Sequence, residues 1–361
     1  MIKKVAIIHD WLNGMRGGEK VLEVLLDIFP NADIFTLFLE KNKISDKIKS
    51  NKIFTSSLNR CRFIRNNYRY FLPFLPPAIE EFNLKNYDLI ISNSHCVAKG
   101  IIPFPGSYHI SYTFTPMRYA WDQYFSYFGK TFGIKKFFIK HQISKLRIWD
   151  VTSSSRVDDF IAISNFVKER ILKYYRRESC VIHPPVDVDF FKASENPQKK
   201  YFLTVSALVP YKNNRLLIKT FNEIGQKLII VGKGPEERKL KRIASKNIEF
   251  KKNVTNEELK ALYQDAKAFI FAGIEDFGIS FVEAQCCGIP IIAYKKGGVL
   301  DIVEEGKTGI FFENQTINDI KKAINDFERL RVDPLYIRKS SLRFSKQIFK
   351  DKLKRFIEKV L

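Results

Sequence analysis

The chain has 361 residues, of which 45% are apolar, with a formal charge of +22 and a pI near 9.6. That length exceeds one ordinary domain, and the apolar share is enough for two packed cores. The five cysteines (Cys61, Cys96, Cys180, Cys286, Cys287) lack the CxxC spacing of a zinc site, no apolar leader precedes the first strand, and the longest apolar runs fall far short of the roughly 20 residues that span a bilayer. A zinc ribbon and a membrane span are excluded, and a reduced, cytoplasmic setting is expected. The positive charge implies an anionic partner: a phosphate-bearing substrate, an acidic lipid surface or nucleic acid. No aromatic or zinc motif for nucleic acid is present, so nucleic acid is not expected.

In chain order, the apolar run Val5–Ile8 reads as a buried parallel strand ending at the polar pair His9-Asp10. The loop WLNGMRGG follows, then a helix beginning near Gly18 with Val21, Leu22, Leu25 and Phe29 on one face. Residues 41–70 hold nine basic side chains, Lys41 to Arg69, against Asp46 alone, and run into YRYFLPFLPP. Basic and aromatic residues interleaved in this way suit an anionic inner membrane surface; a solvated face beside an ordinary core helix is the alternative. Strands DLIISNS, HISYTFT and DFIAIS complete what reads as a doubly wound parallel sheet.

The βα alternation starts again at YFLTVSAL and continues through NRLLIKTFNEI, KLIIVGKGP, EERKLKRIA, NIEFK and NEELKALYQDA. Between the halves, Pro184 and Pro185 and the polar run after Phe191 suit a linker. The domains are expected at 1–190 and 191–340. From Phe344 through Phe356 an apolar spacing reads as a terminal helix over 341–361.

The densest chemistry lies in residues 268–292, where a strand meets the loop GIEDFG, a helix opening at Gly278 and another strand. Ligands in such sheets sit at the carboxyl ends of strands, and a helix N-terminus holds a diphosphate. Glu275 on the loop and Glu283 on the helix can grip the hydroxyls at two ends of one ligand, with Asp276, Phe277, Gly278 and Ile279 between them. Periodicity alone leaves open that Glu275 is a loop charge and Glu283 a surface residue.

The phrase Glu, seven residues, Glu, with FG after the first and A-x-x-x-G-x-P after the second, resembles the donor-site signature of family 4 retaining glycosyltransferases. HDWLNGMRGGEKVLE, NSHCVAKG, TPMRYAWD, LVPYK, IVGKGPE and YKKGGVLDIVEEGKTGIFF resemble its O-antigen and capsule mannosyltransferase-like branch. The resemblance implies a GT-B α/β architecture of two Rossmann-like domains, the N-terminal one binding acceptor, the C-terminal one binding donor, and the last helix returning to the first domain. It implies transfer of a hexose, with mannose from GDP-mannose preferred, onto a lipid-diphosphate-linked or growing surface glycan, with no metal or other cofactor. Glu275 and Lys212 take the catalytic roles on sugar and leaving diphosphate, and Glu283 the ribose. Gly17, Gly18, Gly232 and Gly234 line the donor; His9, Asp10 and Arg118 face the acceptor. For Gly17 and Gly18 the alternative is that they only permit a tight turn. The DVD at 187–189 sits in the linker and is not read as a metal site, and none of His9, His95, His109, His141 and His183 shows paired ligand spacing.

Two positions depart from the family. Ala207 stands where an Arg precedes the lysine by five, and Phe114 where a His precedes TP. Arg215 can offset the first loss. These departures keep one alternative open, a weakly active or inactive sugar-nucleotide-binding protein of an assembly complex. A sugar-nucleotide epimerase shares the two-domain architecture and is a further alternative, against which the motif spacing argues.

Overall fold

The computed structural model describes residues 4–129 and 131–361; the side chains of Arg69 and Lys135 lie outside that description. The chain divides into two compact units, Met1–His183 with Lys350–Leu361, and Pro184–Phe349.

In the first unit β1 (Val5–His9), β2 (Asp33–Thr36), β3 (Ile53–Thr55), β4 (Leu89–Ser94), β5 (Tyr108–Thr113), β6 (Asp159–Ala162) and β7 (Ser179–Val181) form one sheet in the order β3-β2-β1-β4-β5-β6-β7. Every pairing in it is parallel. β1 and β4 are buried along their whole length, β1 with the apolar run Val5–Ile8 and β4 with Leu89–Ile91 followed by the buried polar residues Ser92, Asn93 and Ser94. β1 is followed to one side by β2 and flanked on the other by β4, so the sheet reverses its winding between them. At that switch point the strand ends diverge and leave room for a ligand. The helix Gly17–Ile28 follows β1, burying Val21, Leu22, Val24 and Leu25.

The second unit repeats the plan. β8 (Tyr201–Val205), β9 (Leu228–Val231), β10 (Ile248–Lys251), β11 (Ala266–Phe271), β12 (Ile291–Tyr294) and β13 (Gly309–Phe312) pair in the order β10-β9-β8-β11-β12-β13, all parallel. Its switch point lies between β8 and β11. The helices Asn214–Ile224 and Ile317–Arg329 cover one face, packing Leu217, Ile218, Phe221, Ile320 and Ile324 against the strands. Both sheets are thus of the doubly wound kind expected.

The linker and tail differ from expectation in detail. The division falls after His183, and the chain beyond the two prolines pairs at once: the Val186 N–H donates to the Phe344 carbonyl at 2.9 Å. The tail is two helices, Pro334–Ser341 and Lys346–Val360, separated by a turn at Leu342–Phe344. Phe344 belongs to that turn and packs edge-on against Phe277, with centroids 5.5 Å apart. The buried stripe of the last helix is Phe349, Leu353 and Ile357, and Lys350 reaches Asp27 at 2.7 Å.

Candidate functional site

In the second unit the residues singled out from sequence gather at the carboxyl ends of β8 and β11. After β8 the chain makes a short turn, Pro210–Lys212, and Asn213 adopts a left-handed conformation that starts the helix Asn214–Ile224. The turn aims the largely buried Lys212 at Glu275, and the two form an ion pair. This is possible because Gly273, after β11, lies directly under Lys212: a Cβ there would come within 2.8 Å of the Lys212 Cα. Lys212 also sits 5.2 Å from the Tyr211 ring centroid and 5.7 Å from that of Phe271, an aromatic seat that favours a cation. Glu275 is held from the other side, where its carbonyl accepts the Gly298 N–H at 2.8 Å.

Gly278 precedes the helix Ile279–Cys286 with φ near +104°, and a Cβ would meet the Phe281 ring at 2.3 Å. Only glycine fits this entry, which turns the first helical N–H groups beside Glu275. Asp276 and Phe277 are buried in the same loop, and Ile279 is half-buried. Glu283 is buried on the helix, where Tyr263 donates its hydroxyl to Oε2 at 3.1 Å. Burial, and then the Glu283 charge, push the Tyr263 phenol well above its ordinary pKa, so it stays a donor. Glu283 is therefore a held carboxylate and not an exposed surface charge.

Two expectations shift in emphasis. Gly232 and Gly234 serve the chain's own backbone: a Cβ would lie 1.9 Å from the Ser206 carbonyl oxygen and 2.2 Å from that of Leu208. Their smallness seats the β9 end against the loop after β8, and so places Lys212 indirectly. Arg215 is exposed on the first helical turn, whereas Lys212 is buried.

In the first unit the carboxyl ends of β1 and β4 make a second cluster. Asp10 is fully buried, and its oxygens accept the N–H groups of His95, Cys96, Val97 and Ala98 at 2.6–2.9 Å. It also faces His95 Nδ1 at 3.0 Å. Burial alone would raise the Asp10 pKa, but the His95 contacts and the backbone donors outweigh it and hold the carboxyl at about 2. With its oxygens so engaged, Asp10 is corrected from acceptor contact to positioning residue: it folds the loop after β4. His9 is buried, accepts a hydrogen bond at Nδ1 from the Asn93 amide at 3.0 Å, and has a pKa lowered chiefly by burial, so it is a neutral imidazole.

Gly18 completes the cluster. A Cβ on it would approach His9 at 3.2 Å and Phe114 at 3.5 Å, and its carbonyl accepts from Asn93. Gly17 opens the helix beside it. Arg118 lies half-buried on the loop after β5, a loop anchored where Arg170 bonds Thr115, the Pro116 carbonyl and Asp122.

The residue that the sequence did not single out is His95. It is partly exposed, has Nδ1 on Asp10, and presents its ring edge-on to Trp11 at 4.5 Å, with Phe114 at 6.4 Å. Its place just after β4, beside the switch point, was the available signal. Asp187 of the DVD triplet caps a turn at the Phe190 N–H and pairs with Lys346. Among the described residues no group of three or more His, Cys, Asp or Glu is placed to hold a metal.

Two adjoining family profiles match this framework: Glycosyltransferase Family 4 over residues 53–190 and Glycosyl transferases group 1 over 185–350. The chain belongs to this glycosyltransferase family. Among its relatives, a GDP-mannose-dependent alpha-(1-6)-phosphatidylinositol monomannoside mannosyltransferase of Mycolicibacterium smegmatis is 29% identical over 203 residues, 48% of this chain and 52% of that protein. A probable sucrose-phosphate synthase of Thermosipho melanesiensis is 32% identical over 42% of this chain and 38% of its own. The chain spans about half the length of the curated relatives it matches first. Among solved structures, Anabaena HepE with UDP-glucose superposes with a TM-score of 0.70 at 17% identity, covering 99% of this chain and 100% of its own. The lipopolysaccharide outer core galactosyltransferase WaaB gives 0.68 at 17%, with the same coverage. This family 4 glycosyltransferase therefore has the GT-B fold.

Proposed function

We propose that this chain is a retaining hexosyltransferase that takes its sugar from a nucleotide-sugar, with GDP-mannose the preferred donor. The observation that carries the reading is the ion pair of buried Lys212 with half-buried Glu275 beside the helix entry at Gly278. A nucleoside diphosphate sugar matches this triad: hydroxyls for Glu275, charge on the diphosphate for Lys212 and the helix N–H groups, and ribose hydroxyls for Glu283. Lys212 would then stabilise the leaving diphosphate, an electrostatic contribution that grows as the glycosidic bond breaks. The mannosyltransferase relative supports the choice of donor; HepE with UDP-glucose supports nucleotide-sugar binding and makes UDP-sugars the first competitors. The acceptor would be a glycan on a lipid diphosphate at the inner face of the cytoplasmic membrane, met by the His9, His95 and Arg118 loops. No metal is assigned to the reaction.

The test is transfer from a panel of labelled GDP- and UDP-sugars to a polyprenyl-diphosphate-linked sugar. One donor should be used, and Glu275→Ala or Lys212→Ala should lower turnover by about 100-fold or more. Nucleotide binding without turnover on any acceptor would replace this reading with the assembly-protein alternative, which Ala207 and Phe114 favour. Isomerisation of the donor without acceptor would mark an epimerase.

A further inference from the structure

Large apolar side chains are exposed in unusual number on the first unit, and they cluster in two segments. In residues 62–74, Phe63 is 67%, Tyr70 85% and Phe74 56% exposed; in residues 124–148, Phe125, Phe132 and Phe137 are each exposed by more than 70%. Single exposed apolar residues are ordinary, but a contiguous set marks an interaction surface. The two segments pack onto one core cluster, through Ile64 and Leu72 from the first and Tyr124, Phe128 and Ile139 from the second.

The helix Gly133–Ser154 shows the pattern most clearly. Its buried stripe is Ile143, Leu146, Asp150 and Ser153, yet Ile134, Phe137, Phe138 and Ile148 are at least 60% exposed. A surface helix ordinarily carries polar residues there. Charge names the occupant. Neither residues 47–79 nor residues 123–149 contain a single Asp or Glu, while exposed Arg62, Lys136, Lys140 and Lys145 are set among the aromatic residues. A partner protein or a second copy would meet positive charge from segments that carry no carboxylate of their own, whereas an anionic bilayer offers hydrocarbon below and phosphate above.

Four of the five lysines expected for this role are differently employed. Lys43, Lys47 and Lys49 pair with Glu40, Asp27 and Asp46, and Lys52 lies over Phe54. We infer that residues 62–74, 124–129 and 131–148 form a monotopic docking face that seats its aromatic side chains at the acyl boundary of an anionic bilayer, with Arg62, Lys136, Lys140 and Lys145 at the headgroups. This deepens the lipid-linked reading above and is separable from it, because docking needs no sugar nucleotide.

The experiment is co-sedimentation of the full chain with phosphatidylcholine vesicles, with and without about one-third phosphatidylglycerol, at low and high salt. Binding is expected only with phosphatidylglycerol and should weaken in salt. Phe132→Ser/Phe137→Ser and, separately, Lys136→Glu/Lys140→Glu should each weaken it by about tenfold or more. These positions are exposed, so both variants should melt with the wild type; two independent chemistries guard against a misfolded one. No binding, equal binding to neutral vesicles, or variants that bind as the wild type does would overturn the inference. So would light scattering that shows a lipid-independent dimer dispersed by Phe132→Ser/Phe137→Ser. Vesicle binding with no transfer from any donor would leave the docking face standing and sink the proposed activity instead.

Discussion

Four backbone N–H groups and an imidazole converge on the buried carboxylate of Asp10. An amide in its place offers one acceptor oxygen and turns an NH2 towards donors. Asp10→Asn should therefore cost roughly 3 kcal/mol at pH 7, read from the urea midpoint, because charge-assisted bonds are lost and buried donors are stranded. A cost below about 1 kcal/mol would show that the loop after β4 finds its partners elsewhere. The acid limb follows from the same contacts. The folded pKa, about 2, is below the ordinary 3.8, so the contribution is complete above about pH 4 and is lost as pH falls towards 2. It amounts to roughly 2 kcal/mol, and the Asn variant should lack that part of the acid slope. At this scale the sequence was informative about position and less so about role. His9-Asp10 was legible as a strand end at a ligand site. That Asp10 would spend both oxygens on the backbone 85 to 88 positions away was not, because no local pattern encodes such a contact. His95 went unread for the same reason: its orientation is set by Asp10.

Strands were legible where three or more apolar residues ran together: β4 through Leu89–Ile91, β11 through Ala268–Phe271, β6 through Phe160–Ala162 and β9 through Leu228–Val231, whereas β2, β3 and β7 hold no such run. The donor loop was readable because its signature is contiguous, from Glu275 to Glu283. What holds its helix in place was not, since the support comes from the tail. Arg338, on the helix Pro334–Ser341, donates to the Cys286 carbonyl at 2.7 Å and to that of Phe191 at 2.9 Å. A guanidinium at the C-terminus of Ile279–Cys286 both satisfies a terminal carbonyl and complements the helix dipole. Arg338→Ala should destabilise the second unit by about 2–3 kcal/mol, since two partly buried carbonyls lose a charged donor. If the helix loosens with it, nucleotide affinity should fall while Arg338→Lys restores part of it; calorimetric titration with GDP on both variants separates anchoring from simple loss of stability.

On the scale of the whole molecule, the chain is two cores joined by two crossings, after His183 and after Phe349. One core cluster is built from residues such as Ile8, Leu37, Ile79 and Leu146, the other from Phe202, Phe221, Ile270 and Ile324, and they share no member. Units with separate cores can unfold separately, and a ligand stabilises only the unit that binds it. All the residues assigned to the nucleotide, Lys212, Glu275, Gly278 and Glu283, lie in Pro184–Phe349. Scanning calorimetry should therefore resolve two transitions, and GDP at about 100 times its dissociation constant should add roughly 2.7 kcal/mol to one of them while leaving the other in place. Lys212→Ala should abolish the shift without merging the transitions, because the lysine contributes a charge to the ligand and not a member to either core. A single cooperative transition, raised as a whole by GDP, would instead mean that the two units stand or fall together, and that the donor residues of the second unit are felt throughout the first.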